Sequence, residues 1–237
     1  MTMPYHIKAE RVAGRVLVVG DPGRARLVAG MLEDARLVNE NRGLLVYNGF
    51  WRGVEVSVAT HGMGGAGAAI VFEELLQLGG RTLVRLGTTG AIRGEVEVGD
   101  FVVPSSAFHH PGGLFLQYFG DICVSPSPDL ELAWLLASEA RSAGLKVWTA
   151  PVVSSDAFYA ETGEVISRWA SFGAVSVEME CATLFAVTRL RGARSAAILL
   201  VNGSLVQPGK RMVSESELEE RLVKGAEVAL DVLAKSP

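Results

Sequence analysis

The sequence predicts an α/β protein of one domain and three layers, with a central mixed, partly barrel-like β-sheet flanked by helices. Three observations predict it. Short β-branched runs alternate with helical stretches along the chain, the pattern of a largely parallel or mixed sheet covered on both faces. Hydrophobic residues make up 49% of the 237, enough for a sizeable core. The 27 glycines gather where strand-like runs end, and in open α/β sheets ligands sit beyond the carboxyl ends of the strands.

The elements follow in order. Arg15 to Val19 is a β-branched strand, and Gly20-Asp21-Pro22-Gly23-Arg24 turns it into a helix running to about Leu32. Leu44 to Asn48 and Val54 to Thr60 alternate like paired strands, with Arg52-Gly53 between them. His61-Gly62-Met63-Gly64-Gly65 opens a helix to about Leu78, and Thr82 to Leu86 is a strand ending in the loop Gly87-Thr88-Thr89-Gly90. Phe101 to Val103 is a strand stopped by Pro104, and residues 109–128 read as a long irregular excursion of the kind that serves a site or an interface. A helix from Asp129 to Ala143, a strand from Lys146 to Val153 and a helix from Glu161 to Ala170 come next. Val175 to Glu180 reads as an acidic strand leading into a helix from Cys181 to Leu190. A strand from Ser195 to Val201 and a helix from Glu215 to Leu233 complete residues 1–237, which no repeat or low-complexity linker divides.

Composition excludes several classes of function. The net charge is −4 and no block of lysine and arginine marks a nucleic-acid face. No run of about eighteen apolar residues suggests a membrane span, and Met1 to His6 lacks the basic-then-apolar build of a signal peptide. A cytoplasmic protein is expected. Cys123 lies in a polar, Pro-rich stretch and Cys181 in an apolar one, and their spacing fits neither a metal site nor a disulfide framework.

Four strand ends carry glycine beside a hydrogen-bonding or charged group: Gly20 with Arg24, Gly62 with Gly64, Arg85 with Thr88, and Glu178 with Glu180. In a strand, Glu178 and Glu180 share one face with Met179 opposite, a pair of acids suited to sugar hydroxyls. The bland reading is a polar strand end whose acid meets the dipole of the next helix. Backbone N–H groups at a helix start, with Arg24 in the first turn, make an anion site. Arg85 brings a second arginine, and two arginines on different strand ends suit one phosphate held from two sides. Neither loop has the lysine of a nucleoside-triphosphate loop. Gly62 to Gly67 matches the glycine fingerprint of dinucleotide-binding folds, but the acid expected about twenty residues on is missing. A lone glycine fingerprint is weak, and those glycines are better read as letting a helix pack closely on the sheet.

Taken in order, Gly20-Asp21-Pro22-Gly23-Arg24, Asn41-Arg42-Gly43, Arg85 to Ala91, Ser155-Asp156-Ala157-Phe158-Tyr159 and Val177-Glu178-Met179-Glu180 resemble the motifs of the hexameric nucleoside phosphorylases. That family includes purine nucleoside, methylthioadenosine and uridine phosphorylases, and the resemblance spans nearly the whole chain. It implies a pentosyltransferase that uses inorganic phosphate as co-substrate and needs no metal or organic cofactor. It also implies a trimer of dimers whose sites borrow residues from a neighbouring chain. By resemblance, Gly20, Arg24, Arg85 and Thr88 cradle phosphate, and Arg42 is the neighbour's contribution to it. Glu180 binds the ribose hydroxyls with Met179 against the sugar, and His6 is the neighbour's histidine at the 5′ end. Phe158 lies against the base, which Thr89, Gly90, Val177 and Glu178 line. Glu180, Arg85 and Arg24 are the residues expected to carry catalysis.

The match breaks at the leaving group. Purine-cleaving relatives usually carry Ser-Asp after the strand matching Ile198 to Val201, the Asp protonating the base. Here Asn202-Gly203 stands there, and the Asn202 amide suits a 6-oxopurine better than adenine. Uridine phosphorylases also lack the Asp, and Gly87 to Ile92 is similar to theirs. They hold uracil with Gln-x-Arg, however, where this chain has Thr162-Gly163-Glu164. The residues around Arg42 and Phe158 are closest in wording to methylthioadenosine phosphorylases. A purine nucleoside is the expected substrate, with uridine the alternative and methylthioadenosine or a non-catalytic nucleoside-binding role behind them.

Overall fold

The structure, a computed structural model, describes residues 4–207 and 215–236. Strand β1 (Arg15–Val19) is followed by helix α1 (Pro22–Ala29), then by β2 (Glu33–Asn39), β3 (Val46–Trp51) and β4 (Val54–Thr60). Helix α2 (Gly65–Gln77) leads to β5 (Thr82–Ala91), β6 (Phe101–His109) and α3 (Gly113–Phe119). Next come α4 (Leu130–Ser142), β7 (Val147–Ser154), α5 (Gly163–Ser171) and β8 (Ser176–Glu178), and then α6 (Cys181–Leu190), β9 (Arg194–Ser204) and α7 (Glu215–Lys235). The strands form one mixed sheet in the order β2-β3-β4-β1-β5-β8-β7-β6-β9, and β5 also pairs with β9. That extra pairing curls the second half into a barrel, as expected from the sequence.

Side-chain alternation divides the core between the two faces. Val16, Val18, Leu83 and Ala59 pack under α2 and α6 with Phe72, Leu75 and Leu184. Leu17, Val19, Val84 and Val58 pack on the other face with Leu136 of α4 and Leu230 of α7. Local chemistry sets the helix starts. Asp21 caps α1 by accepting from the Arg24 N–H at 2.8 Å, and Asp129 caps α4 by accepting from the Leu132 N–H at 2.9 Å.

Four elements differ from the sequence reading, each for a physical reason. The expected loop Gly87 to Gly90 is strand, because β9 pairs alongside β5 as far as Ala91 and β8 joins at Gly90. Pro104 does not end β6; the ladder to β9 is confined to Phe101 and Val102, so the missing proline N–H removes no bond from it. β2 escaped notice because its residues are mostly exposed and polar at the sheet edge, where one-sided pairing imposes no apolar alternation. Residues 109–128 include the short helix α3, whose Phe115 stacks on His109 with ring centroids 3.7 Å apart.

Candidate active site

Register brings Gly20, Arg85, Glu178 and Glu180 to one end of the sheet. Val18 of β1 lies between Ala59 of β4 and Arg85 of β5, so Arg85 points to the α2/α6 face. Its guanidinium folds back along its own strand: a Cβ on Gly87 would overlap Arg85 Nη1. Glycine at 87 is therefore what gives the guanidinium its space. Arg85 is 4% exposed, and its Nη2 donates to Glu180 Oε2 and lies 3.5 Å from Glu178 Oε2. Its Nε and Nη1 are buried with no partner among the described residues. Burial would lower the Arg85 pKa, but the carboxylates around it, Glu180 foremost, raise it, so the cation is fixed.

The acidic pair divides its work. β8 stops at Glu178, and Glu180 leaves strand geometry at φ −138°, ψ −12° as the residue before α6. The expected alternation of Glu178, Met179 and Glu180 along one strand is broken there, though both carboxylates still reach Arg85. Glu178 turns its side chain onto the start of α6. Its oxygens accept from the N–H groups of Glu180 at 2.9 Å and Cys181 at 2.9 Å, and from the Ser154 hydroxyl at 2.5 Å. Ser154 Oγ in turn accepts from the Ala182 N–H at 2.9 Å. Glu178 thus serves the helix terminus, as the bland reading has it, while the Glu180 side chain makes no capping bond there.

Glu180 Oε1 accepts from the Gly64 N–H at 2.6 Å. Gly64 has φ +85°, which favours glycine, and this conformation aims the N–H at the carboxylate. Burial pushes the Glu180 pKa up, but Arg85 and Gly64 more than offset it and hold the group below the ordinary carboxylate range. Gly65 lets α2 start against α6, because a Cβ there would lie 2.7 Å from Thr183 Oγ1. The Gly62 to Gly67 run thus combines close helix packing with a carboxylate contact.

Arg24 lies near enough to Arg85 for the like charge to count. Burial first, and then Arg85, lower its pKa. Its guanidinium forms no ion pair with the described residues, and Asp21 holds only its backbone N–H. Gly20 is half-buried beside it. His61, 1% exposed, sits next to Gly20: a Cβ on Gly20 would lie 3.5 Å from His61 Cε1. Burial, then Arg85, depress its pKa to about 3, so the imidazole is neutral. Two cations with unpaired donors next to a carboxylate make a site for an anion beside a hydroxyl-bearing group.

The residues expected to line the base lie on β9, β5 and β8 and in the turn after β7. Thr89 pairs with Val201 and Gly90 with Gly203, so Asn202 is the extra residue of a bulge, a device that re-aims a side chain. Gly90 pairs with Val177 on its other side. The Thr89 hydroxyl donates to the Val177 carbonyl at 2.8 Å, and Val177 is buried. Thr88 and Met179 are half-buried, while Phe158 is exposed at the 3-10 turn Phe158–Ala160. Leu205, whose Cδ1 fills the space above Gly90, was not foreseen and covers this end.

His6 and Arg42 stand elsewhere. Glu74 of α2 accepts from the His6 N–H at 2.9 Å and contacts its Nδ1 at 2.8 Å, and the Asn41 side chain donates to the His6 carbonyl. Glu74 is ten residues beyond Gly64, or about 15 Å along a helix. Arg42 is exposed at φ +59° in the turn Asn41–Gly43, on an open groove lined by Tyr5, Lys8, Asn41 and Gln77.

The sequence has counterparts among known proteins. Residues 15–236 match the family model described as the phosphorylase superfamily. The chain belongs to the phosphorylase superfamily. It is 33% identical to a guanosine phosphorylase of Halorubrum lacusprofundi over 91% of this chain and 89% of the relative. It is 34% identical to a DeoD-type purine nucleoside phosphorylase of Clostridium beijerinckii over 98% of this chain and 99% of the relative. A DeoD-type purine nucleoside phosphorylase of Clostridium novyi is 32% identical over 97% and 99% of the two chains. Within this phosphorylase-superfamily chain, sequence reasoning missed Ser154, Gly87 and His61. Only His61 carried a signal, a histidine placed between a strand end and a Gly-x-Gly turn. Among the described residues, no group of three or more His, Cys, Asp or Glu is placed to hold a metal, and no helix is long and apolar enough to cross a membrane.

Proposed function

We propose that this protein cleaves the N-glycosidic bond of a purine nucleoside with inorganic phosphate, giving the free base and ribose 1-phosphate. The observation that carries the reading is Arg85. Its Nη2 holds Glu180, while Nε and Nη1 are unpartnered donors near Arg24. Phosphate on those donors and ribose hydroxyls on Glu180 place nucleophile and sugar side by side, which converts a bimolecular step into a local one. As the glycosidic bond stretches, the sugar gains positive charge, which Glu180 stabilises. A unit charge pair at about 4 Å contributes on the order of 4 kcal/mol at an effective dielectric of 20. Gly20, Arg24, Arg85 and Thr88 form the phosphate cradle and Met179 backs the ribose. Phe158, Thr89, Gly90, Val177 and the backbone of Glu178 surround the base.

The proposed substrate is a 6-oxopurine nucleoside such as guanosine or inosine. The bulged Asn202 supports it: an amide supplies a hydrogen bond to the leaving base but no proton, and a 6-oxopurine is the better fit. The relatives named for guanosine and purine nucleosides point the same way. The phosphorolysis needs no cofactor in this account.

The assembly we propose is a hexamer built as a trimer of dimers. His6 and Arg42 lie toward the far end of α2 from Gly64, which suits a role in a neighbour's site rather than their own. The proposed location is the cytoplasm, where nucleosides and phosphate meet. Incubating the protein with guanosine, inosine, adenosine, methylthioadenosine and uridine, and separating the free bases, tests the substrate. Guanosine and inosine are expected to lead; release from uridine alone overturns the purine assignment.

A further inference from the structure

His61 is the one buried imidazole beside this site, and the chemistry above leaves it without a task. Its position is tightly set. The backbone N–H donates to the Val19 carbonyl at 2.8 Å, and the ring meets Phe72 edge-on with centroids 5.4 Å apart. Ala59, Val18 and Arg85 are register partners across β4, β1 and β5. Two residues further along each strand come His61, Gly20 and Gly87, so two glycines in adjacent strands leave a gap in the sheet face. Arg85 folds into that gap over Gly87, and His61 turns Cε1, the atom between its two nitrogens, over Gly20. The imidazole edge and the guanidinium therefore border the same gap, near enough for the arginine's charge to act on the ring, with no hydrogen bond joining them.

Their hydrogen-bonding needs are complementary. Arg85 Nε and Nη1 are buried donors without acceptors, and His61 Nδ1 and Nε2 are buried without partners. A neutral imidazole has one acceptor nitrogen, and leaving buried donors unmatched is costly. We infer that His61 is a positioning residue whose unprotonated nitrogen accepts from Arg85 when phosphate binds and holds the guanidinium over Gly87, so that its free donors face phosphate instead of collapsing fully onto Glu180. A protonated histidine or a lysine at this place would add a third cation and take Glu180 away from the ribose. An apolar side chain would leave the arginine unanchored.

The inference rests on the phosphorylase reading, and the test separates the two. Phosphate and nucleoside KM are measured in His61→Leu, His61→Asn and His61→Gln; the two amides place an acceptor oxygen near the heights of Nδ1 and Nε2. Inorganic phosphate is also titrated calorimetrically without nucleoside. His61→Leu is expected to raise the phosphate KM by at least about tenfold, the scale of a hydrogen bond to a charged group, while the nucleoside KM stays near wild type. One of the amides recovers most of that loss. A folded His61→Leu with wild-type phosphate KM overturns the inference, as do amides that do no better than leucine. Should the leucine variant fail to fold, ring-nitrogen NMR of the wild type decides: signals that move on adding phosphate support the role, and signals that stay put overturn it. Base release that ignores phosphate in the wild type is a failure of the phosphorylase reading instead, and the calorimetry still reports on His61.

Discussion

Glu180 and Arg85 show how few atoms the chemistry needs and how strongly those atoms depend on each other. Removing one partner of a buried ion pair leaves an uncompensated charge, at a cost of roughly 3–5 kcal/mol. Glu180→Gln is therefore expected to lower the melting temperature as well as turnover, the latter by about a hundredfold or more, while phosphate still binds. Base-release rates and thermal melts read the two effects, and near-normal turnover would show that the carboxylate does not serve the sugar. His61 adds a pH dependence. Its folded pKa of about 3 lies below the unfolded value, so its contribution to stability is complete above about pH 6.5 and is lost as pH falls toward 3. Arg85 and Arg24 favour that neutrality and Glu180 opposes it. Thermal melts of wild type and His61→Gln between pH 7 and 4 are expected to converge as the pH drops; parallel curves would place the ring in a different environment.

At the scale of elements, the sheet was readable where the chain obeys alternation and hidden where a functional residue bends the rule. β1 and β4 have the bounds their β-branched runs suggest, because both lie between neighbours and bury both faces. The Gly87 to Gly90 run looked like a loop since glycine is poor in strands; the strand keeps it because Arg85 occupies the missing side chain's place. The resemblance assigns Glu180 to the ribose and Glu178 to the base, but nothing in Glu178-Met179-Glu180 tells which carboxylate the helix terminus will take. The cap makes a clear expectation. Glu178→Ala removes the acceptor for the first N–H groups of α6 and is expected to destabilise the protein by about 1–2 kcal/mol, the usual loss for a helix cap. Glu180 sits at that terminus, so the nucleoside KM should rise with it. Thermal melts and KM values measured together check this, and a stability loss without any change in KM would uncouple the cap from the ribose site.

For the whole molecule, one sheet carries two kinds of end. Strand ends near Arg85, Gly64 and Glu180 form the proposed phosphate and sugar site within a single chain, while His6 and Arg42 lie beside a groove some distance along α2. Composition and spacing do not distinguish a residue that serves its own site from one proposed to serve a neighbour's; for His6 and Arg42 that expectation comes from the motif resemblance alone. Complementation follows from the proposed assembly. Arg42→Ala and Glu180→Ala, each nearly inactive, should regain activity when unfolded and refolded together, because a mixed dimer contains one site free of both changes. Refolded mixtures no more active than their components would mean that Arg42 acts within its own chain or not at all.

The central claim is that phosphate is the nucleophile, held by Arg85 and Arg24 beside a ribose held by Glu180. Guanosine or inosine incubated with the protein, with phosphate added or rigorously removed, measures it directly. The expected result is base release only with phosphate, with ribose 1-phosphate formed in equal amount; release at the same rate without phosphate, leaving free ribose, contradicts it.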